Sequence, residues 1–352
     1  MMKLASGHTA VELEGEELKR LERDFTGYNK GIVRLQPDRW FFAKAYTKFA
    51  DKIYNMQWKP SDVCIMTYPK CGTTWMQEII WTMRNNPDLD NPMASAPLYG
   101  RSPFLEMDFF LFGTAASNLP EHPDPNDPLI KDFKKKCPGK KIEDGLMLQL
   151  TDVLPEPRTI KTHLNFDLLS PQILDNAKVV FVARNPKDTI VSYHHHSRLI
   201  RGHGYTGTFE EFVKYFLADD LQFSPYWLML RQAWERRSHP NMHLVFFEDF
   251  KADIKGELRK LDTFIGTGLS DKQIDNVAEY TSFKSMKERG VQEASSNDSF
   301  WVKEVLEKDG GFMRKGTAGD WKNKFTPELE KLVDDWTQKH LGDIGLSFKY
   351  SL

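Results

Sequence analysis

The chain is poor in cysteine, with three in 352 residues: Cys64, Cys71 and Cys137. So low and odd a count argues against a disulfide framework and favours a reducing, cytoplasmic setting. Net charge is also scarce, at −2, so nothing at the whole-chain level points to nucleic acid. No apolar run approaches the ~20 residues that cross a bilayer, which argues against membrane insertion. The opening stretch, MMKLASGHTAVELEGEELKRLERDF, carries acids early and no apolar core. It reads neither as a secretory signal nor as a transit peptide. On that reading the sequon Asn297-Asp298-Ser299 is unused. The phosphate loop GxxxxGK[ST] is missing, which removes the main support for a metal-dependent nucleotide kinase. Internal repeats and composition breaks are missing too, which predicts a single domain over residues 1–352.

What is present is an ordinary globular balance, 40% apolar and 28% charged. Residues 1–60 read as a polar N-terminal arm anchored by Trp40, Phe41, Phe42, Tyr46 and Phe49. DVCIMTY, EPRTIKTHL, AKVVFVARNPKD and HLVFFEDF read as short buried strands. Helices are predicted between and after them: from Thr73, through DTIVSYHHHSRLI, after a Thr208–Glu211 capping box, after Ser270 and Gln273, and from Thr326–Pro327. This alternation predicts an α/β fold, a central parallel β-sheet flanked by helices. Residues 85–145, rich in Pro, Asn and Asp, read as a long irregular excursion that would serve as an acceptor-site lid.

In such sheets the ligand lies beyond the carboxyl ends of the strands. The loop YPKCGTTW joins a strand to a helix N-terminus. Free N–H groups, the helix dipole, Gly72, the hydroxyls of Thr73 and Thr74 and the charge of Lys70 together suit a phosphate-like anion. KTH places Lys161 and His163 at a second strand end, where an imidazole titrating near neutrality suits a general base. ARNPKD places Arg184 at a third, with Ser192 two helical turns on. FMRKG puts Phe312, Arg314, Lys315 and Gly316 in a compact basic turn.

YPKCGTTW, KTHL, ARNPKD with Ser192, TSFKSM and FMRKGTAGDWK occur in the order, and with nearly the spacing, found in cytosolic sulfotransferases. The chain resembles that family over roughly residues 60–340. The N-terminal arm and the excursion resemble the insect-type branch that includes retinol dehydratase. The resemblance implies a P-loop-like nucleotide-binding fold and a donor, 3′-phosphoadenosine 5′-phosphosulfate, which becomes 3′-phosphoadenosine 5′-phosphate. It implies that Lys70, Cys71, Gly72, Thr73 and Thr74 cradle the 5′-phosphosulfate and that Trp75 stacks on adenine. It implies that Arg184, Ser192, Arg314, Lys315 and Gly316, with Phe312 beside them, bind the 3′-phosphate. Phe247, Thr281, Phe283 and Met286 would surround the nucleoside. His163 would take the acceptor's proton, while Lys161 and Lys70 stabilise the transferring charge. No metal is expected. The acceptor would be a small lipophilic phenol or alcohol, as in xenobiotic or hormone metabolism. The alternatives are a dehydratase-type lyase acting through a transient sulfate ester of an allylic alcohol, and a binding protein without turnover.

Some residues depart from the family pattern. Cys71 stands where serine is usual. A thiol is a poorer hydrogen-bond donor than a hydroxyl, and a pKa lowered by the helix N-terminus and Lys70 would open it to oxidation, so weaker donor binding or redox sensitivity is expected. Phe247 replaces a common tyrosine. In the dimer motif, KNKFTPELEK, Lys322 and Thr326 match while Pro327 and Lys331 do not, so a homodimer formed that way is doubtful. Other signals read as bland. GHGYTG follows a helix and reads as a flexible loop rather than a dinucleotide fingerprint. The three side chains of His194–His196 diverge around a helix, so one metal cannot take them all, although one could line an acceptor pocket. KDFKKKCPGKK reads as a solvated basic loop.

Overall fold

The computed structural model describes residues 1–114, 124–290, 300–342 and 344–351; the sequon at Asn297 lies outside them. Among the described residues eight strands form two sheets. β1 (Met2–Lys3), β2 (Thr9–Glu12), β3 (Ile32–Gln36) and β4 (Trp40–Ala43) make an antiparallel meander. β5 (Val63–Thr67), β6 (Thr159–Thr162), β7 (Lys178–Ala183) and β8 (Met242–Phe246) make a parallel sheet in the order β6-β5-β7-β8.

The apolar runs of the second sheet serve two faces, because successive side chains in a strand point to opposite sides. Cys64, Met66, Val179 and Phe181 enter one hydrophobic cluster, and Val63, Ile65, Val180 and Val182 enter the other. The second face is covered by the helix Thr73–Asn85 through Met76, Ile79, Ile80 and Met83. β6 lies on one side of β5 and β7 on the other. The crevice of this fold therefore opens at the carboxyl end of β5.

Residues 1–60 are not a polar arm. Their anchors Trp40, Phe41 and Phe42 are β4 itself, and Tyr46 and Phe49 belong to the helix Tyr46–Tyr54. All five are buried in the same cluster that covers one face of the parallel sheet. Buried Arg34 in β3 pairs with Asp220 and Glu17, a tertiary arrangement with no local signature.

The described part of the 85–145 excursion is not wholly irregular: it carries the helices Leu98–Arg101, Met107–Gly113 and Pro128–Lys136, and the helix Leu146–Asp152 follows it. Two of its pairs, Asn91-Pro92 and Asp127-Pro128, are helix starts. Asn91 and Asp127 accept from Met93 and Leu129, with Pro in the first turn each time. The basic run is likewise the end of a helix that buries Ile130 and Phe133. Asp108 holds this region together by accepting from the backbone N–H groups of Leu146, Met147 and Leu148 at 2.8, 3.2 and 3.1 Å. Asp108→Ala strands these donors in a buried helix start and is expected to cost about 3 kcal/mol. The urea midpoint at neutral pH measures it.

The capping boxes at Thr208–Glu211 and Ser270–Gln273 form as the sequence implies. Thr326 caps the helix Pro327–Leu341, so the degenerate dimer motif is engaged in helix initiation. The GHGYTG loop has a packing role: its backbone lies against Thr26 and Gly27, which donate to Gly204 O and His203 O.

Candidate active site

All four carboxyl ends of the parallel strands converge on one cavity of about 220 Å³. After β5 the chain turns through Lys70 (φ 69°) and Gly72 (φ 102°) into the Thr73–Asn85 helix. A Cβ at Gly72 would sit 2.7 Å from the Phe247 ring, so only glycine lets that ring close over the turn. Lys70, Gly72, Thr73, Thr74 and Trp75 all line the cavity. The Thr73 hydroxyl is taken by Thr67 Oγ1 at 2.6 Å.

Cys71 does not behave as a helix-terminal thiolate. Its Sγ is buried, 3.7 Å from Thr189 Oγ1, and is absent from the cavity wall. Burial pushes the thiol up to about 12. Its N–H donates to Tyr68 O within the turn. The expected oxidation sensitivity and side-chain contact with a donor are thereby overturned: removal from water outweighs the helix N-terminus and the nearby cations.

At the end of β6, Nδ1 of His163 lies 2.7 Å from Thr67 O. A carbonyl can only accept, so Nδ1 carries the proton and Nε2 presents its lone pair. Burial, then Lys161 and Lys70, hold this imidazole well below its usual range; the Thr67 contact opposes them. It is therefore neutral at physiological pH, as a base must be. Glu106 fixes the strand end by accepting from the His163 N–H and, at 2.9 Å, from the Thr162 hydroxyl. Its signal in the sequence is an acid inside an apolar stretch, PFLEM.

The cations rest on aromatic faces. Lys70 Nζ is 3.7 Å from the Phe312 centroid, Lys161 Nζ 3.9 Å from Phe104, and the Arg184 guanidinium 4.4 Å from Phe247. Burial lowers Lys70 to about 7, assisted by Lys161, Arg184 and Arg314. Burial lowers Lys161 to about 8 against the pull of Glu106. Arg184 donates to Lys70 O at 3.0 Å and to Thr317 O at 3.2 Å, tying the first loop to the last, and its buried Nε has no partner.

Ser192, Phe283, Met286, Phe312, Arg314, Lys315 and Gly316 line the same cavity. A Cβ on Gly316 would fall 2.1 Å from the Phe283 ring. Arg314 and Lys315 both pair with Asp320, a partner six and five residues on. Asp188 accepts from Gly319 N and Trp321 N, holding this loop against the Pro186–Leu199 helix. Thr281 stands apart from the sequence-based set. It is buried, its hydroxyl returns to Val277 O at 2.7 Å, and it does not face the cavity.

The three successive histidines diverge. His194 packs on Tyr205, Phe209 and Phe212. His195 also lines the cavity, but its Nε2 donates to Gly311 O at 3.2 Å. His196 turns into the cavity beside Phe312. Among the described residues one group of three potential metal ligands occurs, His8, Asp38 and Asp167, and none of them lines the cavity. No described helix is long and apolar enough to cross a membrane.

Cations from separate loops, a helix N-terminus and an unpartnered buried guanidinium nitrogen fit a polyanionic nucleotide. A neutral imidazole beside Phe104, Met107, Phe110 and Phe223 gives the other part of the cavity an apolar wall with one hydrogen-bond acceptor.

Comparison with known proteins places the chain in a family. Residues 60–345 match the sulfotransferase domain model. Luciferin sulfotransferase of Photinus pyralis is 32% identical over 96% of this chain and 87% of its own length. Sulfotransferase 1A1 of Canis lupus familiaris is 33% identical over 96% and 100%. The crystal structure of retinol dehydratase in a complex with retinol and PAP superposes with a TM-score of 0.79 at 28% identity, covering 97% of this chain and 99% of that one.

Proposed function

The chain belongs to the sulfotransferase domain family, and from that premise we propose that it sulfates the hydroxyl of a small lipophilic phenol or alcohol, with His163 as general base. The observation that carries this reading is the fixed tautomer of His163, whose Nε2 lone pair shares a largely apolar cavity with two half-buried lysines, Lys70 and Lys161. When bound, 3′-phosphoadenosine 5′-phosphosulfate supplies the sulfuryl group and is left as the 3′,5′-bisphosphate.

The loop from Lys70 to Thr74 offers that donor's 5′ end a cation, backbone donors and the Thr74 hydroxyl. Trp75, Phe247, Phe283 and Met286 wall the base. Arg184, Ser192, Arg314, Lys315 and the Gly316 backbone receive the 3′-phosphate, with Asp320 released from the cations it holds. His163 Nε2 accepts the acceptor's proton as its oxygen bonds to sulfur. Lys161 and Lys70 stabilise the charge passing to the leaving phosphate; such preorganised electrostatics is usually the largest catalytic contribution.

Calorimetric titration of 3′-phosphoadenosine 5′-phosphate, beside ADP and beside ATP with magnesium, tests the donor site. A marked preference for the bisphosphate supports the reading, and equal binding of ADP defeats it.

Lys70 gives the titration a pH signature. Its ammonium is held down to about 7 in the free protein, and an anion beside it raises it again. Below that value both states are protonated and affinity is flat. Above it, binding takes up a proton and weakens by up to about tenfold per pH unit. The buffer dependence of the binding enthalpy at pH 8 measures the uptake.

The likeness to retinol dehydratase supports a second reading, elimination from a transient allylic sulfate. A stable sulfate ester as the product of an allylic alcohol would rule it out.

A further inference from the structure

Besides His195, whose Nε2 is taken by Gly311 O, the cavity carries two imidazoles that the proposed transfer does not use. His196, from the helix Pro186–Leu199, and His203, from the loop after it, line the cavity with ring centroids 5.3 Å apart. Burial and the charge of Lys70 hold both well below the usual imidazole range, His203 at about 3. Each is therefore neutral and offers one donor and one acceptor. His203 is fixed through Nδ1, 3.0 Å from the Tyr28 hydroxyl. His196 Nδ1 is buried without a protein partner.

Aromatic rings connect the pair to the base. His163 lies 5.2 Å from Phe223, Phe223 6.0 Å from Phe110, and Phe110 5.6 Å from His203, centroid to centroid. A flat acceptor reacting at His163 would lie along Phe223 and Phe110, and its far end would meet the two histidines. A purely hydrocarbon end would desolvate their nitrogens without replacing the lost hydrogen bonds.

We propose that the acceptor carries a second hydrogen-bonding group, a hydroxyl or carbonyl, remote from the hydroxyl that is sulfated, and that His196 and His203 bind it. This deepens the sulfuryl-transfer reading and rests on it. The substrate class is a rigid, flat, bifunctional compound rather than a simple lipophilic monoalcohol.

Matched acceptor pairs test it: 2-naphthol with 2,6-dihydroxynaphthalene, 4-hydroxybiphenyl with 4,4′-dihydroxybiphenyl, and 17-deoxyestradiol with estradiol. In at least one pair kcat/KM is expected to favour the bifunctional member by about tenfold or more, beyond any statistical doubling. That ratio should collapse in His203→Phe and His196→Phe and be partly kept in His203→Gln, which retains a hydrogen-bonding edge. Titration with 3′-phosphoadenosine 5′-phosphate reports whether each variant keeps an intact donor half. Phenols sulfated with no preference in any pair, or with a preference that survives both phenylalanine variants, would overturn the inference alone. Failure of the parent protein to bind the bisphosphate or to sulfate any acceptor would overturn the underlying reading with it.

Discussion

His163→Ala is expected to lower kcat by ~10²–10⁴-fold, the usual contribution of a positioned general base. Its neighbours make the ring suited to that work. Thr67 O takes the Nδ1 proton, so the reactive edge is Nε2, and Glu106 anchors the backbone from behind. Burial beside Lys161 keeps the ring unprotonated in the free protein. The acid limb of kcat/KM is therefore expected well below the ordinary imidazole range, because the group is already neutral there. The bisphosphate titration separates chemistry from binding: affinity should change far less than turnover. A turnover loss under about tenfold would mean that water or the acceptor's own acidity supplies the proton transfer.

Arg184→Ala is the second large effect. The guanidinium lies on Phe247, donates to Lys70 O and Thr317 O, and keeps Nε unpartnered. Its loss would remove the charge-assisted contact proposed for the 3′-phosphate and untie the Lys70 loop from the Thr317 loop. Bisphosphate affinity is expected to fall about 10–100-fold. ADP, which lacks the 3′-phosphate, should lose much less, so the ratio of the two affinities is the discriminating number. Equal losses would assign Arg184 to loop architecture alone.

The central strands β5 and β7 could be read from the sequence because a strand buried on both faces is a nearly continuous apolar run, while β6 and β8 at the edges show shorter β-branched or aromatic runs. The charged residues just past each run then stand out, and Lys70, His163 and Arg184 occupy those ends in the structure. The N-terminal sheet could not be read this way. Its strands are two to five residues long, too short for periodicity, and Arg34 inside β3 is matched by Asp220, 186 residues away. The excursion was obscured because proline after Asn or Asp marks both a loop and a helix start, and only the cap geometry decides. Cys71 shows a further limit. Its place in the chain suggests a reactive thiol, but the turn through Lys70 and Gly72 aims Sγ at Thr189, and that direction is a tertiary fact. Thr281 is lost from the site for a similar reason, its hydroxyl bonding one helical turn back. Asp320, by contrast, stands close enough to Arg314 and Lys315 for its pairing to be anticipated.

The two glycines that admit phenyl rings, Gly72 under Phe247 and Gly316 under Phe283, constrain how this pocket can change over generations. At either glycine the first methyl added would collide with a ring already in place, and the left-handed backbone would be strained besides. The order of change is therefore directional. A lineage can shrink Phe247 or Phe283 first and afterwards acquire a side chain opposite, whereas the reverse order passes through a blocked intermediate. Paired libraries that vary Gly316 together with Phe283 should yield functional combinations that neither single-site library contains.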